Sequence, residues 1–465
     1  MYRNFLSAVK TKSQRHPGGQ RKRANRNHRP MPLEGLEDRR LLSGGPTVFT
    51  VTDTSDSPND PGSLVSAINQ ANNNPNPAGS LIEFSKSVFS TPQTITLTST
   101  LDLFGSAGPI TIAGPGANLL NVSGNKTVEV FEVDFETTAV LSGMTISDGT
   151  ASREGAGIFN EGILTISNST IEDNTIADDD GEGAGVFNES VLTMSGCTIT
   201  NNTLSGEDGE GGGVYNDGAI VISNSTITSN TVSGKDGEGG GTFNDFIMTL
   251  TNSTVEGNSA SGDDGDGGGC YNEETMTVSA STVAMNSASS EGGGIFNERV
   301  LAISNSTVAD NSADDEGGGI FTADFLTAVN TTIADNFVPQ ALAVQVAAVA
   351  ATGVGAGLYV ESGTATLDNT IVARNTHGSA PDDVDGTLSS TSSFNLIGLG
   401  GGGGLTNGVN GNLVGVANPG LGTLADNGGP TATIALLPGS PAIDAGSNAL
   451  DGLPNDQRGP GLARI

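Results

Sequence analysis

The chain has 465 residues, 68 of them glycine, with no tryptophan and 4% aromatic residues, which argues against a thick globular core and against much helix. Charge is divided unevenly: residues 1–40 hold 11 of the 19 Lys and Arg side chains, and the remainder carries 8 basic against 49 acidic ones, a net of −41. Such a body repels nucleic acid and anionic membrane and attracts cations. No apolar run reaches the ~18 residues that a membrane-crossing helix needs, so no integral membrane segment is expected.

In chain order, residues 1–45 read as a basic, disordered export or targeting segment. Residues 46–150 read as an N-terminal cap and irregular first coils. Within them "DPGSLVSAINQANNN" offers Ser63 as an N-cap and places Leu64, Ile68 and Ala71 on one helical face, a helix suited to cover the open end of a stack of strands. Short strands follow in "QTITLTS", "PITIAG", "LLNVSG", "TVEVFEVD" and "TAVLSGMTIS".

Residues 151–376 are a repeat region. "GAGIFN", "GAGVFN", "GGGVYN", "GGGTFN", "GGGCYN", "GGGIFN" and "GGGIFT" end at Asn160, Asn188, Asn216, Asn244, Asn272, Asn297 and Thr322, four steps of 28 residues and then two of 25. "GAGLYV" at Tyr359 is a degenerate eighth copy. A fixed period of this length is the mark of stacked repeats. Each glycine block is followed by a segment such as "ILTISNSTIEDNT", whose alternation and Asn/Ser corners predict short strands, three to a coil. The fold class is therefore all-β, a parallel β-helix of roughly 10 to 12 coils, ~50 Å long at ~4.8 Å per coil.

Aligned coils give columns. Leu164, Leu192, Ile220, Met248, Met276, Leu301 and Leu326 read as an interior stack, as do the columns through Ile166 and Ile171. Phe159, Phe187, Tyr215, Phe243, Tyr271, Phe296 and Phe321 read as a structural aromatic ladder. Two asparagine ladders, starting at Asn160 and Asn174, read as turn stabilisers, because Asn tolerates a left-handed backbone and both donates and accepts along a stack. Cys197 and Cys270 read as buried thiols too far apart for a disulfide.

The loops "ADDDGEG", "GEDGEG", "GKDGEG" and "GDDGDG" line up Asp179, Asp208, Asp236 and Asp264 in an acidic stripe. Two readings stand: a solvated loop that keeps the solenoid soluble, or a set of calcium ligands, since stacked carboxylates and loop carbonyls suit that ion. Calcium is optional, and no cofactor is required. Residues 341–355, "ALAVQVAAVAATGVG", read as an inserted loop or small helix, and residues 377–465, rich in Gly and Pro, as an irregular C-terminal cap.

"GSLVSAINQAN", the "GGGIFN" and "SNSTI" repeats, and "LADNGGPTATIALLPGSPAIDAG" with "DQRG" at Asp456 to Gly459 resemble the choice-of-anchor Q family, with kinship to polymorphic outer membrane protein repeats. "LEGLEDRRLLSG", residues 33–44, resembles the N-terminal motif of planctomycete exported proteins, with Gly35 where that motif often has Pro. The resemblance implies a right-handed, pectin-lyase-like β-helix exported to the cell surface, associated with the outer membrane or extracellular. It brings no established catalytic residues. The C-terminal "RGPGLARI" has no amphipathic strands of a membrane barrel, so insertion is not expected.

Function on this reading is non-enzymatic: adhesion or cell-envelope structure through repetitive weak contacts, with surface glycans or other envelope proteins as partners. The alternative is a polysaccharide-binding or polysaccharide-degrading enzyme of lyase or glycosidase type, which needs a base or a carboxylate pair. Outside the basic head the cationic residues are Lys86, Lys126, Arg153, Lys235, Arg299, Arg374, Arg458 and Arg464, with His377 the one histidine, and none breaks the repeat to suggest a cleft. No catalytic residue is assigned.

Overall fold

The computed structural model describes residues 44–340, 354–450 and 455–460. The readings of the basic head up to residue 43 and of the insertion over residues 341–353 lie outside the described residues.

Short alternating strands, each too small to bury a face alone, stack on their copies one repeat later. Four parallel sheets result, of 12, 11, 13 and 10 strands, the last ending in one antiparallel pair; together they form a right-handed β-solenoid of about 11 turns. One coil runs through Ile158–Asn160 (the aromatic sheet), Ile163–Ser167 (the long sheet), Thr170–Glu172 (the corner sheet) and Thr175–Ile176 (the short sheet). Each coil thus has four strands rather than the expected three. The fourth is two residues long and leaves no alternation to read.

Register follows the repeat. Leu164 pairs with Leu192, Ile171 with Ile199 and Asn160 with Asn188, and the interior columns through Leu164, Ile166 and Ile171 are 0–1% exposed. Parallel pairing satisfies the backbone from coil to coil while like side chains stack inside. The long-to-corner bend needs a left-handed residue in every repeat. Asn168, Asn224, Asn252, Asn305, Asn330 and Asn369 all have φ of 46–51°, which asparagine tolerates better than other side chains.

The N-terminal helix, Leu64–Asn72, forms as the sequence predicts: Ser63 accepts a hydrogen bond from the Ser66 N–H at 3.1 Å, and Leu64, Ala67, Ile68 and Ala71 are buried against the first strands. At the other end parallel pairing continues past residue 376, to Leu413–Val414. Beyond it the chain turns back along the flank. An antiparallel pair, Leu421–Ala425 with Thr433–Leu436, and the stretch Asn455 to Gln457 form a strap that reaches coils about 150 residues earlier. Gln457 is its deepest point: its Oε1 accepts from the Thr307 hydroxyl at 2.7 Å, and its Nε2 lies 3.0 Å from the Ser281 carbonyl and 2.9 Å from the Thr282 and Thr431 hydroxyls. Arg374 bonds the carbonyls of Leu421 and Gly422 and the carboxylate of Asp335, tying the strap down a second time.

Candidate functional site

The acidic glycine loops are first of all packing devices. Ile176, Leu204 and Val232 form a separate buried column on the short sheet, and the loops lie across it. A Cβ on Gly181 would come within 2.8 Å of Ile176, and one on Gly237 within 2.5 Å of Val232, so a side chain there would lift the loop off its column. The three-residue-longer loops of the 28-residue coils carry this cover.

The expected stripe of Asp179, Asp208, Asp236 and Asp264 is out of register at its first member. Asp180 stands 28 residues before Asp208, and Asp180, Asp208 and Asp236 share φ of 52–55°, whereas Asp179 is exposed and accepts from the Glu207 N–H at 3.1 Å. The run of three aspartates at 178–180 hid the slip. Asp236 meets Lys235 at 3.3 Å, and Asp264 is exposed. The Asp208 carboxyl is pushed up by partial burial first, then by Asp236 and Asp180. Among the described residues, the three carboxylates close enough to share an ion are instead Glu132, Asp134 and Glu161, whose oxygens lie within 4.8 Å of one another.

A larger acidic array was not anticipated. Glu154, Glu182, Glu210, Glu238 and Asp266 pair backbone to backbone in a row along one side of the aromatic sheet, continued by Glu291 and Glu316. The signal was in the sequence, since Glu182, Glu210 and Glu238 recur at 28 residues just after the Asp-Gly step. On the other side stand Glu161, Glu189, Asp217, Asp245, Glu273 and Glu298, each directly after the aromatic strand. Between the two rows runs the aromatic ladder. Its rings stack from Phe159 to Tyr359 with centroids 4.6–5.3 Å apart and form their own cluster on the outward side of the sheet, while Ile158 and Val186 point into the core. The rings from Phe187 to Phe321 are only 2–7% exposed, so the ladder is structural as expected.

Crowded carboxylates and burial act on each other here. Glu238 is raised well above its ordinary range, by burial first and then by Glu210 and Asp266. The Tyr271 hydroxyl donates to Glu298 at 3.0 Å. The same outward column ends in acids at both extremes, Glu132 pairing with Phe159 and Asp385 with Tyr359.

At the N-terminal end of this face Glu129, Glu132, Arg153, Glu154 and Phe159 surround an open hollow of about 390 Å³. Burial, reinforced by Glu132, Asp102 and Glu154, pushes the Glu129 carboxyl up to about 9, so it keeps its proton at neutral pH. Arg153 lies 3.8 Å from Glu154 and 3.6 Å from Glu182. A protonated acid beside other carboxyl groups and Arg153 in a hollow is an arrangement that acid–base chemistry can use. Sequence reasoning missed it because Glu129 lies in the irregular coils, where no column marks it.

The second asparagine ladder ends in a comparable group. Each Asn from Asn174 to Asn336 donates its Nδ2 to the Oδ1 of the next at 2.9–3.0 Å, and Asn375 donates both its N–H and its Nδ2 to Asp383 Oδ1 at 2.9 Å. Asp383 is fully buried, its Oδ2 has no hydrogen-bond partner, and burial raises it to about 7 against the pull of the two Asn375 bonds. Cys197 and Cys270 are buried free thiols, and burial pushes Cys270 up to about 11.

No helix among the described residues is long and apolar enough to cross a membrane. Among known families, the one described as right handed beta helix region matches residues 121–227. No curated protein and no solved structure matches the chain. The matched segment covers the first regular coils, and its register continues unbroken through the later ones. The chain is a parallel β-helix repeat protein.

Proposed function

We propose that the chain is an exported, non-enzymatic surface protein whose β-helix makes many equivalent weak contacts along its acidic face. The observation that carries this reading is the sameness of that face: from Glu154 to Glu316 each coil presents a carboxylate in the same row beside the same aromatic column. Equivalent sites in a rigid row favour avidity over a singular chemistry. Partners of this chemistry are cationic or cation-bridged surfaces: envelope proteins with basic patches, or glycans held through calcium. Deleting residues 189–244, two whole coils, leaves the register intact and should weaken adherence of the exported protein to cell envelopes more than in proportion to its length. Adherence unchanged by the deletion, or intact protein recovered only inside the cell, overturns the reading. Its calcium component is checked by melting the protein with calcium and with a chelator. Bridging of the Asp180, Asp208, Asp236 and Asp264 row raises Tm with calcium by mass action, and an unmoved Tm removes calcium from the account.

The hollow at Glu129 favours a second reading, a glycan-cleaving enzyme in which Glu129 is the acid and Glu132 or Glu154 the second carboxyl group of the pair. Release of reducing ends from neutral or acidic polysaccharides, abolished in Glu129→Gln, would replace the first reading with this one.

A further inference from the structure

We propose that the cavity between the strap and the coils beneath it is a binding site for one neutral sugar unit. The inference deepens the surface-contact reading, on which it rests, by assigning glycan recognition to one end of the solenoid. The cavity, about 290 Å³, lies at the lower end of the range for small-molecule sites and at the kind of junction where such sites form. The part of its lining that the strap supplies is not repeated from coil to coil among the described residues. The left-handed corner column runs the length of the solenoid, but the strap crosses it only toward the C-terminal coils, at Ala280, Asn305 and Asn369.

The floor is a row of carboxamides. Asn305, Asn330 and Asn369, with φ of 46°, 51° and 51°, place one amide per coil there, and the Asn369 amide also holds the strap, donating its Nδ2 to the Ser447 carbonyl at 2.9 Å and accepting from the Ser447 N–H at 2.7 Å. Successive coils lie ~4.8 Å apart. The next residue in the column is Phe394, φ 56°, whose ring lines the cavity and packs over Gly411, where a Cβ would come within 2.7 Å of it. A row of neutral donors and acceptors ending at an aromatic ring matches a sugar, with hydroxyls around its edge and an apolar face.

Charge narrows the ligand class. The strap contributes Asp456 and Arg458, which bind each other at 3.0–3.1 Å, so neither sign is left uncompensated to attract an ionic ligand. Asn427 and Thr433 add neutral polar groups to the wall. Asn305 donates its Nδ2 to the Asn455 carbonyl at 3.1 Å, while its Oδ1 is buried without a partner, an acceptor suited to a ligand hydroxyl.

The test uses the full chain and saturation-transfer NMR with methyl glucoside, methyl galactoside and N-acetylglucosamine, and with glucuronate and glucosamine as charged comparators. At least one neutral sugar should receive saturation and out-compete both charged ones. Asn330→Gly, which keeps the left-handed backbone, should weaken that sugar by about three- to tenfold, the loss expected for one neutral hydrogen bond. Phe394→Gly should do so at least as strongly. Asn168→Gly, the same column outside the strap, should bind as the parent does, and an unchanged melting temperature in all three excludes unfolding as the cause. Absence of transfer to every neutral sugar, a preference for a charged one, or parental binding by Asn330→Gly overturns the site. Coil-dependent adherence that survives in Asn330→Gly overturns the pocket's part in surface contact and leaves the broader reading standing.

Discussion

The regular coils and the strap are held by opposite means. Between Ile158 and Val338 the interior, ring and asparagine positions meet their own kind one coil away, so a hydrogen bond or a ring contact is repeated about seven times along a column. The strap has no column. It is held by single, unrepeated contacts, chief among them Gln457 between Thr307, Ser281 and Thr282, and Arg374 on the Leu421 and Gly422 carbonyls. Columns couple neighbouring coils into one cooperative body, whereas a segment pinned at a few points can open by itself. The repeated part supplies stability and the unrepeated part supplies asymmetry, and the cavity beneath the strap lies where they meet.

The contrast is broken most severely inside the asparagine ladder. Asn230 accepts from Asn202 through N–H and Nδ2 at 3.1 and 2.9 Å and donates to the Ile199 carbonyl and Asn258 Oδ1, all buried. Asn230→Ala orphans these partners and should cost about 5 kcal/mol in urea unfolding, with the loss felt in coils on both sides. A loss under about 1 kcal/mol would mean that the ladder is ornamental. Phe243→Ala comes next: it opens a gap between Tyr215 and Tyr271, whose rings lie 5.1 and 4.9 Å from it, and should cost about 4 kcal/mol by the same measurement.

Acidity sharpens the comparison from another side. Asp383 has a folded-state value of about 7 against 3.8, so between those pH values the native state binds the proton that the unfolded chain has released. Its contribution is therefore full below pH ~4 and is lost as pH rises through 7, on the order of 4 kcal/mol in all. Glu129, at about 9, extends the decline to higher pH. Melting temperature should fall from pH 5 to pH 9, and Asp383→Asn should flatten the lower half of that slope. A stability that rises over this range contradicts the assignment.

The smallest effect belongs to the strap. Gln457→Ala should leave the main unfolding transition within about 1 kcal/mol while raising amide exchange in residues 421–436 by roughly tenfold or more. Equal destabilisation of the regular coils would show that strap and solenoid unfold as one unit.

Much of the solenoid was legible because identity at 28 residues is the register. Leu164 over Leu192, Phe159 over Phe187 and Asn174 over Asn202 follow from spacing alone, since a column is what a period becomes when coils stack. Residues without a counterpart one repeat away were read less well. Asp179 was placed for Asp180 because adjacent aspartates look alike in sequence, and only the coil geometry separates the residue in the left-handed turn from the one that caps the next loop. Glu129 and Asp383 show no local sign of their raised acidity, which comes from burial and from neighbours distant in the chain. The strap was the largest surprise. Its Gly- and Pro-rich sequence specifies turns but no destination, and the choice between covering the end of the stack and lying along its flank is made by contacts such as Thr282 with Ala432, 150 residues apart. By itself the sequence determined the period, and with it the interior columns, because those depend on neighbours one repeat away. Where the irregular ends go, which carboxylates keep their protons and where a cavity opens were decided by the tertiary structure, because each depends on residues that the repeat does not relate.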